Sequence, residues 1–201
     1  MCMFKKSLRN KLVLIVGLVG LVTSIPALTV NQSVPQKDVT LKSTLGSDVA
    51  LKDLLKAEVG TVVIFIGTQC PYSNAYNGRY NELAEALSKK NVHFVTINSN
   101  DTEAFDRVKE HAAEKKYSFP VYKDDFHKTA DLFGAEHTPE AFLLDKNLKV
   151  VYHGRIDDDT DGKKITRRDL MVAAEELAAN PTNPKISHPE EKAFGCTIKR
   201  K

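Results

Sequence analysis

Two cysteines far apart in the chain, Cys70 and Cys196, are the residues best suited to covalent chemistry. Cys70 lies in Ile64-Phe65-Ile66-Gly67-Thr68-Gln69-Cys70-Pro71-Tyr72-Ser73, where an apolar β-branched run gives way through a short turn to a proline. The pattern puts the sulfur at the mouth of a helix. Unpaired N–H groups and the macrodipole favour negative charge there, so a thiolate is expected with a pKa below that of a free cysteine, and the thiolate is the nucleophile in sulfur chemistry. Pro71 suits the first helical turn, where its missing N–H costs nothing. A static cysteine would more naturally pack inside the strand as a small apolar side chain.

Cys196 sits in Phe194-Gly195-Cys196-Thr197-Ile198-Lys199, near the end of an aperiodic stretch. Three roles are open to it: a second thiol that resolves a Cys70 adduct, half of a static disulfide, or a free tail thiol. Closing a loop of roughly 125 residues costs only logarithmically more than closing a short one, so distance along the chain excludes none of them. A third element is His137-Thr138-Pro139-Glu140, where Pro139 must stand at the start of a strand because it cannot donate to a ladder. His137 could bring an imidazole to Cys70 for proton transfer or soft-metal binding. The run Asp157-Asp158-Asp159-Thr160-Asp161-Gly162 opens like a calcium loop, but Arg168 occupies the twelfth position, where a bidentate glutamate is needed. The alternative is a solvated acidic turn. His93, His111, His127, His153 and His188 show no metal-ligand spacing. No metal and no cofactor are expected.

The elements that must position these groups follow from periodicity. Residues 39–51 alternate around Gly46-Ser47-Asp48 as a small hairpin would. The run 61–66 (TVVIFI), bounded by glycines, is a strand buried on both faces. Residues 71–89 turn helical, 92–97 (VHFVTI) form a second buried strand, and Asp101 or Thr102 can cap a helix carrying Phe105, Val108 and Ala112. Strand, helix, strand, helix implies right-handed crossovers and a parallel sheet. A short strand at 119–122 and a helix at 128–133 closed by Gly134 come next. Two runs, 141–144 and 149–153, then flank Asp145-Lys146-Asn147 as an antiparallel hairpin, and a last helix spans 166–179.

Of the 201 residues, 42% are hydrophobic, enough for one core, and one domain with appendages is expected. The formal charge of +3 comes from the ends, with Lys5, Lys6, Arg9 and Lys11 at the start and Lys199, Arg200 and Lys201 at the close. A near-neutral body carries no electrostatic footprint for nucleic acid. The basic start runs into an apolar stretch, residues 12–22, of signal-peptide length, with no clean Ala-x-Ala site after it. A cleaved signal peptide and an uncleaved membrane anchor both fit, and either means export to a periplasmic or secreted location where disulfides persist. The division expected is a leader over 1–30, a linker over 31–37, a folded domain over 38–180 and an extended tail over 181–201 that carries Cys196.

The strand leading into Cys-Pro-Tyr-Ser, the Thr-Pro before a late hairpin and the β-α-β-α-β-β-α order resemble the thioredoxin superfamily, in particular the redoxin branch with its thiol-specific antioxidant (AhpC/TSA-like) members. The resemblance spans about residues 38–180. It implies an α/β thioredoxin-like fold with a central mixed sheet flanked by helices, an N-terminal hairpin and a C-terminal tail. It makes Pro139 a cis-proline beside Cys70, with the Thr138 backbone pairing with a bound thiol substrate. The groove residues are then Thr68, Gln69, Pro71, Tyr72, Ser73, Thr138 and Pro139. Two departures stand out. Ser73 occupies the place of a thioredoxin's second cysteine, and Gly67 and Val63 stand where peroxiredoxins carry threonine and proline. The function implied is an exported thiol-disulfide oxidoreductase with Cys70 as nucleophile, acting on a protein or small-molecule disulfide and reset by Cys196 or an external thiol reductant. A thiol peroxidase acting on peroxide and a non-catalytic binding module are the alternatives.

Overall fold

The computed structural model describes residues 28–200. All but the last three residues of the expected leader therefore lie outside the described part. The chain opens with β1 (Thr40–Ser43) and β2 (Val49–Ala50), the expected hairpin, and a single turn of helix that the sequence pattern did not reveal, α1 (Leu51–Leu54). Next come β3 (Gly60–Phe65), α2 (Pro71–Asn74), α3 (Asn77–Ser88), β4 (Val92–Asn98), α4 (Phe105–Glu114) and β5 (Val121–Lys123). The second half holds α5 (Lys128–Phe133), β6 (His137–Thr138), β7 (Glu140–Asp145), β8 (Val150–Gly154), α6 (Asp169–Ala179) and, in the tail, β9 (Cys196–Thr197).

Seven strands form one mixed sheet in the order β2-β1-β5-β4-β3-β7-β8. The pairs β3–β4 and β4–β5 are parallel, as the crossovers require, and β3–β7 and β7–β8 are antiparallel. All six residues of β3 are buried. Successive side chains of a strand point to opposite faces, so this one strand serves two cores. Val62, Ile64 and Ile66 meet Tyr80, Leu83 and Leu87 of α3 and Leu170 and Leu177 of α6. Val63 and Phe65 meet Leu51 and Leu54 of α1, Phe133 of α5 and Phe142 of β7. Each such aliphatic or aromatic side chain, once buried, contributes about 1.5–3 kcal/mol.

Three expected elements start or end elsewhere, each for a local reason. The helix expected over 71–89 is two helices, because the Tyr76 N–H bonds Ser73 O and tightens the chain into a turn before α3 begins. Neither Asp101 nor Thr102 caps α4. Ala104 takes that place without a side-chain bond, since the Asp101 carboxylate is engaged by His127 and Glu103 is drawn towards the turn after β3. The last helix begins at Asp169 rather than Thr166, because residues 158–166 are tied into a carboxylate-anchored turn in which Asp158 accepts from Thr166 and Asp159 from the Lys164 N–H.

Both flanking segments are seated on the body. In the stretch read as a linker, Val34 is 3% exposed, and backbone bonds join Asn31 and Gln32 to Val150 and Val34 to Leu148. Leu28 is buried and its N–H donates to Phe133 O. Leu28 and Val34 are apolar, and their burial draws this stretch onto the β8 side of the sheet. The tail runs past β8, where the His153 N–H donates to Pro189 O and the Glu191 N–H to His153 O. It then pairs β9 antiparallel with β6, buries Ile198 in the second core, and sets Arg200 against Asp131 and Ala135 O.

Candidate active site

Cys70 is the N-cap of α2, with Pro71 at the first helical position. The sulfur is reached by bonds from three parts of the chain. Its thiol donates to Thr138 O at 2.9 Å, and it accepts from the Ser73 N–H at 3.4 Å. The Cys196 thiol and N–H are also within hydrogen-bonding reach. Cys70 itself is 4% exposed, covered by the tail and not sunk into the sheet. Both cysteines are free thiols.

Burial pushes the Cys70 thiol up, but hydrogen bonds from the Cys196 thiol, the Thr138 side-chain hydroxyl, and the Ser73 and Cys196 N–H groups outweigh it and leave the pKa lowered. The direction agrees with the sequence expectation; the cause is different. α2 is a single turn, too short for a sizeable macrodipole, so individual donors carry the effect. Cys196 moves the opposite way, raised to about 11 by burial, by its hydrogen bond to Cys70 and by the negative charge Cys70 develops, against a lowering bond from the Tyr72 N–H.

The Thr138–Pro139 peptide bond is cis, as the resemblance implied. The strand Thr138 pairs with is the chain's own: Thr138 lies opposite Cys196 in the β6–β9 register. Gly195 packs so tightly here that a Cβ would lie 2.1 Å from Thr138 O. Ile198 N–H donates to Glu136 O at 2.8 Å, Lys199 N–H to Asn100 Oδ1 at 2.8 Å, and Asp101 N–H to Lys199 O at 2.9 Å.

The remaining expected groove residues divide into two groups. Tyr72, 47% exposed, and Pro71 border a cleft of about 550 Å³ whose far wall is Asp158, Asp159 and Asp161. Gln69 is exposed and Pro139 is buried beneath the site. Ser73, in contrast, faces inward at 2% exposure, accepting from the Gly67 N–H at 3.1 Å and sharing a 3.2 Å bond with the Tyr80 hydroxyl. It braces the turn and does not line the groove. Thr68 is likewise held from behind, its N–H and hydroxyl both donating to Glu103.

Glu103 is the residue that sequence reading missed. Its carboxylate is 4% exposed and accepts from the Thr68 N–H and hydroxyl at 2.8 and 2.9 Å, the Gln69 N–H at 3.2 Å and Asn98 Nδ2 at 2.6 Å. It therefore fixes the turn that presents Cys70. An acidic residue in a capping region was visible in the sequence; its distant partners were not.

His137 stays on its own side of β6, its ring 3.8 Å from the buried Glu140, which also accepts from the His137 N–H and from His153 Nε2. The Asp157 carboxylate is taken by Arg79 at 2.6 Å, the Tyr76 hydroxyl at 2.8 Å and the Asp159 N–H at 3.3 Å. Among the described residues no group of three or more His, Cys, Asp or Glu side chains is placed to hold a metal ion. None of the described helices is long and apolar enough to cross a membrane.

The AhpC/TSA family model matches residues 30–153, more than half of the chain. A curated relative, the thiol-disulfide oxidoreductase ResA of Bacillus anthracis, is 31% identical over 106 residues, 53% of this chain and 59% of that protein, so the chain spans less than two thirds of its relative. Among solved structures, an uncharacterized conserved protein from Geobacillus kaustophilus is 30% identical with a TM-score of 0.75, covering 87% of this chain and 93% of that one. A hypothetical protein from Sinorhizobium meliloti is 27% identical with the same TM-score, covering 88% and 97%.

Proposed function

Because the chain belongs to the AhpC/TSA family, whose thioredoxin-like fold it has, we propose that it works as an exported thiol-disulfide oxidoreductase with Cys70 as nucleophile and Cys196 as resolving thiol. The observation that carries the reading is the meeting of the two thiols at Thr138, with the lowered pKa on Cys70 and the raised one on Cys196. Similarity to the oxidoreductase ResA supports the same chemistry, and the basic-then-apolar start of the chain supports export.

Cys70, as thiolate, attacks one sulfur of a substrate disulfide; the new Cys70–substrate bond forms as the old S–S bond breaks, and the second substrate sulfur leaves as a thiolate. Cys196 then gives up its proton and attacks the Cys70 sulfur. That step forms the Cys70–Cys196 disulfide and releases the remaining substrate thiolate. An external dithiol returns two electrons and two protons and resets the pair. Thr138 O takes no part in electron flow; it holds the Cys70 thiol in line until the proton leaves.

The decisive measurement is mass mapping of the protein during turnover with a disulfide substrate. A Cys70–Cys196 linkage that accumulates on oxidation and disappears with reductant is expected, and Cys70→Ser should lower turnover at least 100-fold. Two thiols that stay free through oxidation would remove the resolving role. The family match also favours a second reading, a thiol peroxidase. Peroxide consumption separates the two, since a disulfide reductase leaves peroxide almost untouched. A binding module would instead leave Cys70 alkylating like an ordinary thiol, half-maximally near about pH 8.5.

A further inference from the structure

The segment covering Cys70 belongs to this chain, yet it is held as an incoming strand would be. Cys196 lies opposite Thr138, and the main chain of residues 196–199 is bonded to β6, Glu136, Asn100 and Asp101. Only two side-chain positions are sterically selected. At Gly195 a Cβ would overlap Thr138 O, at 2.1 Å, and the carbon behind it, at 2.6 Å. Two residues beyond the cysteine, Ile198 is 2% exposed among the side chains of the second core. Thr197 between them is exposed and Phe194 is 53% exposed, so neither position is read. Backbone ladder for affinity and alternate side chains for selectivity is the logic of strand addition.

We propose that this seat, where the resemblance places a bound substrate, is selective, taking an extended polypeptide with glycine immediately before its oxidised cysteine and an aliphatic residue two positions after it. The tail is a resident copy of the pattern, which the substrate displaces. The proposal rests on Cys70 being the nucleophile and adds the residues its substrate must carry around the attacked cysteine. In the exchange, Cys70 gives its proton to solvent, its thiolate bonds to the seated cysteine sulfur, and the substrate's former sulfur partner leaves with the electron pair of the broken S–S bond.

The test uses the full chain carrying Cys2→Ser and Cys196→Ser, which leaves Cys70 as the single thiol. The probe is the peptide Ala-Phe-Gly-Cys-Thr-Ile-Lys with its cysteine in a mixed disulfide with 2-nitro-5-thiobenzoate, whose coloured thiolate reports the rate. Peptides with valine for the glycine or serine for the isoleucine should each react at least about tenfold more slowly. Adding Ile198→Ser to the protein should speed the matching peptide about tenfold by loosening the resident strand. Equal rates for the three peptides would overturn the proposal, as would a rate indifferent to Ile198→Ser in a folded variant. Should that variant not fold, the ranking of the peptides on the parent protein decides alone. The small disulfide 5,5′-dithiobis(2-nitrobenzoate) separates the two levels. Reaction with it but no ranking among peptides sinks only the groove assignment, whereas no reaction at all removes the nucleophile reading and the groove with it.

Discussion

Solvent is scarcer around Cys70 than around Cys196, yet Cys70 is the more acidic of the two, because donors converge on its sulfur from Cys196, the Thr138 side-chain hydroxyl and the Ser73 N–H. Removing the first of these donors leaves the burial penalty less opposed. Cys196→Ala should therefore move the midpoint of Cys70 alkylation to higher pH, and Cys70→Ala should let Cys196 titrate below about 11 by removing the neighbour that raises it. Iodoacetamide rates at each cysteine, followed by mass spectrometry across a pH series, read both shifts; a Cys70 midpoint unmoved by Cys196→Ala would mean the tail does not tune it. The same asymmetry gives the oxidised pair a direction. On the proposed chemistry an incoming reductant attacks Cys196, the more accessible sulfur, and expels Cys70, the better leaving group. A cysteine poised at a helix mouth was legible in the local sequence. That the tail could carry Cys196 to it was legible as one of three open roles; the β6–β9 pairing that seats Cys196 opposite Thr138 was not, since no local pattern announces a two-residue strand.

At the level of elements, the turn between β3 and α2 is held by one carboxylate reaching over from the approach to α4. Replacing Glu103 with alanine strands the Thr68 and Gln69 N–H groups and the Asn98 amide. The expected loss is about 2 kcal/mol of unfolding stability, read by urea denaturation, together with slower Cys70 alkylation. A loss of stability with alkylation unchanged would make Glu103 a brace of the fold and not of the site. The elements legible in advance were those whose residues bury without help from afar: β3 and β4 as continuous apolar runs, the hairpin of β7 and β8 around its polar link, and α5 ending at Gly134, which adopts the left-handed conformation at φ 66°. Boundaries decided by a distant partner were not legible. Glu103, drawn from the approach to α4 towards Thr68, and Ser73, turned towards Tyr80, are the two cases.

Across the whole molecule, one central strand feeds two cores, and the tail closes the second of them with Ile198. Of residues 196–199 only Ile198 is buried, so the covering strand should open at lower free energy than the sheet. Gly195→Val, which pushes a side chain onto Thr138 O, should abolish hydrogen-exchange protection of the Ile198 amide while leaving the β3 amides slow. Protection lost equally in both would show that the tail and the sheet unfold together. Leu28 and Arg200 both fasten to the end of α5, one through Phe133 O and the other through Asp131 and Ala135 O. The two ends of the described chain are thereby neighbours, and a short peptide bridge ligating them into a ring would latch the covering strand shut and leave a folded but slow thiol.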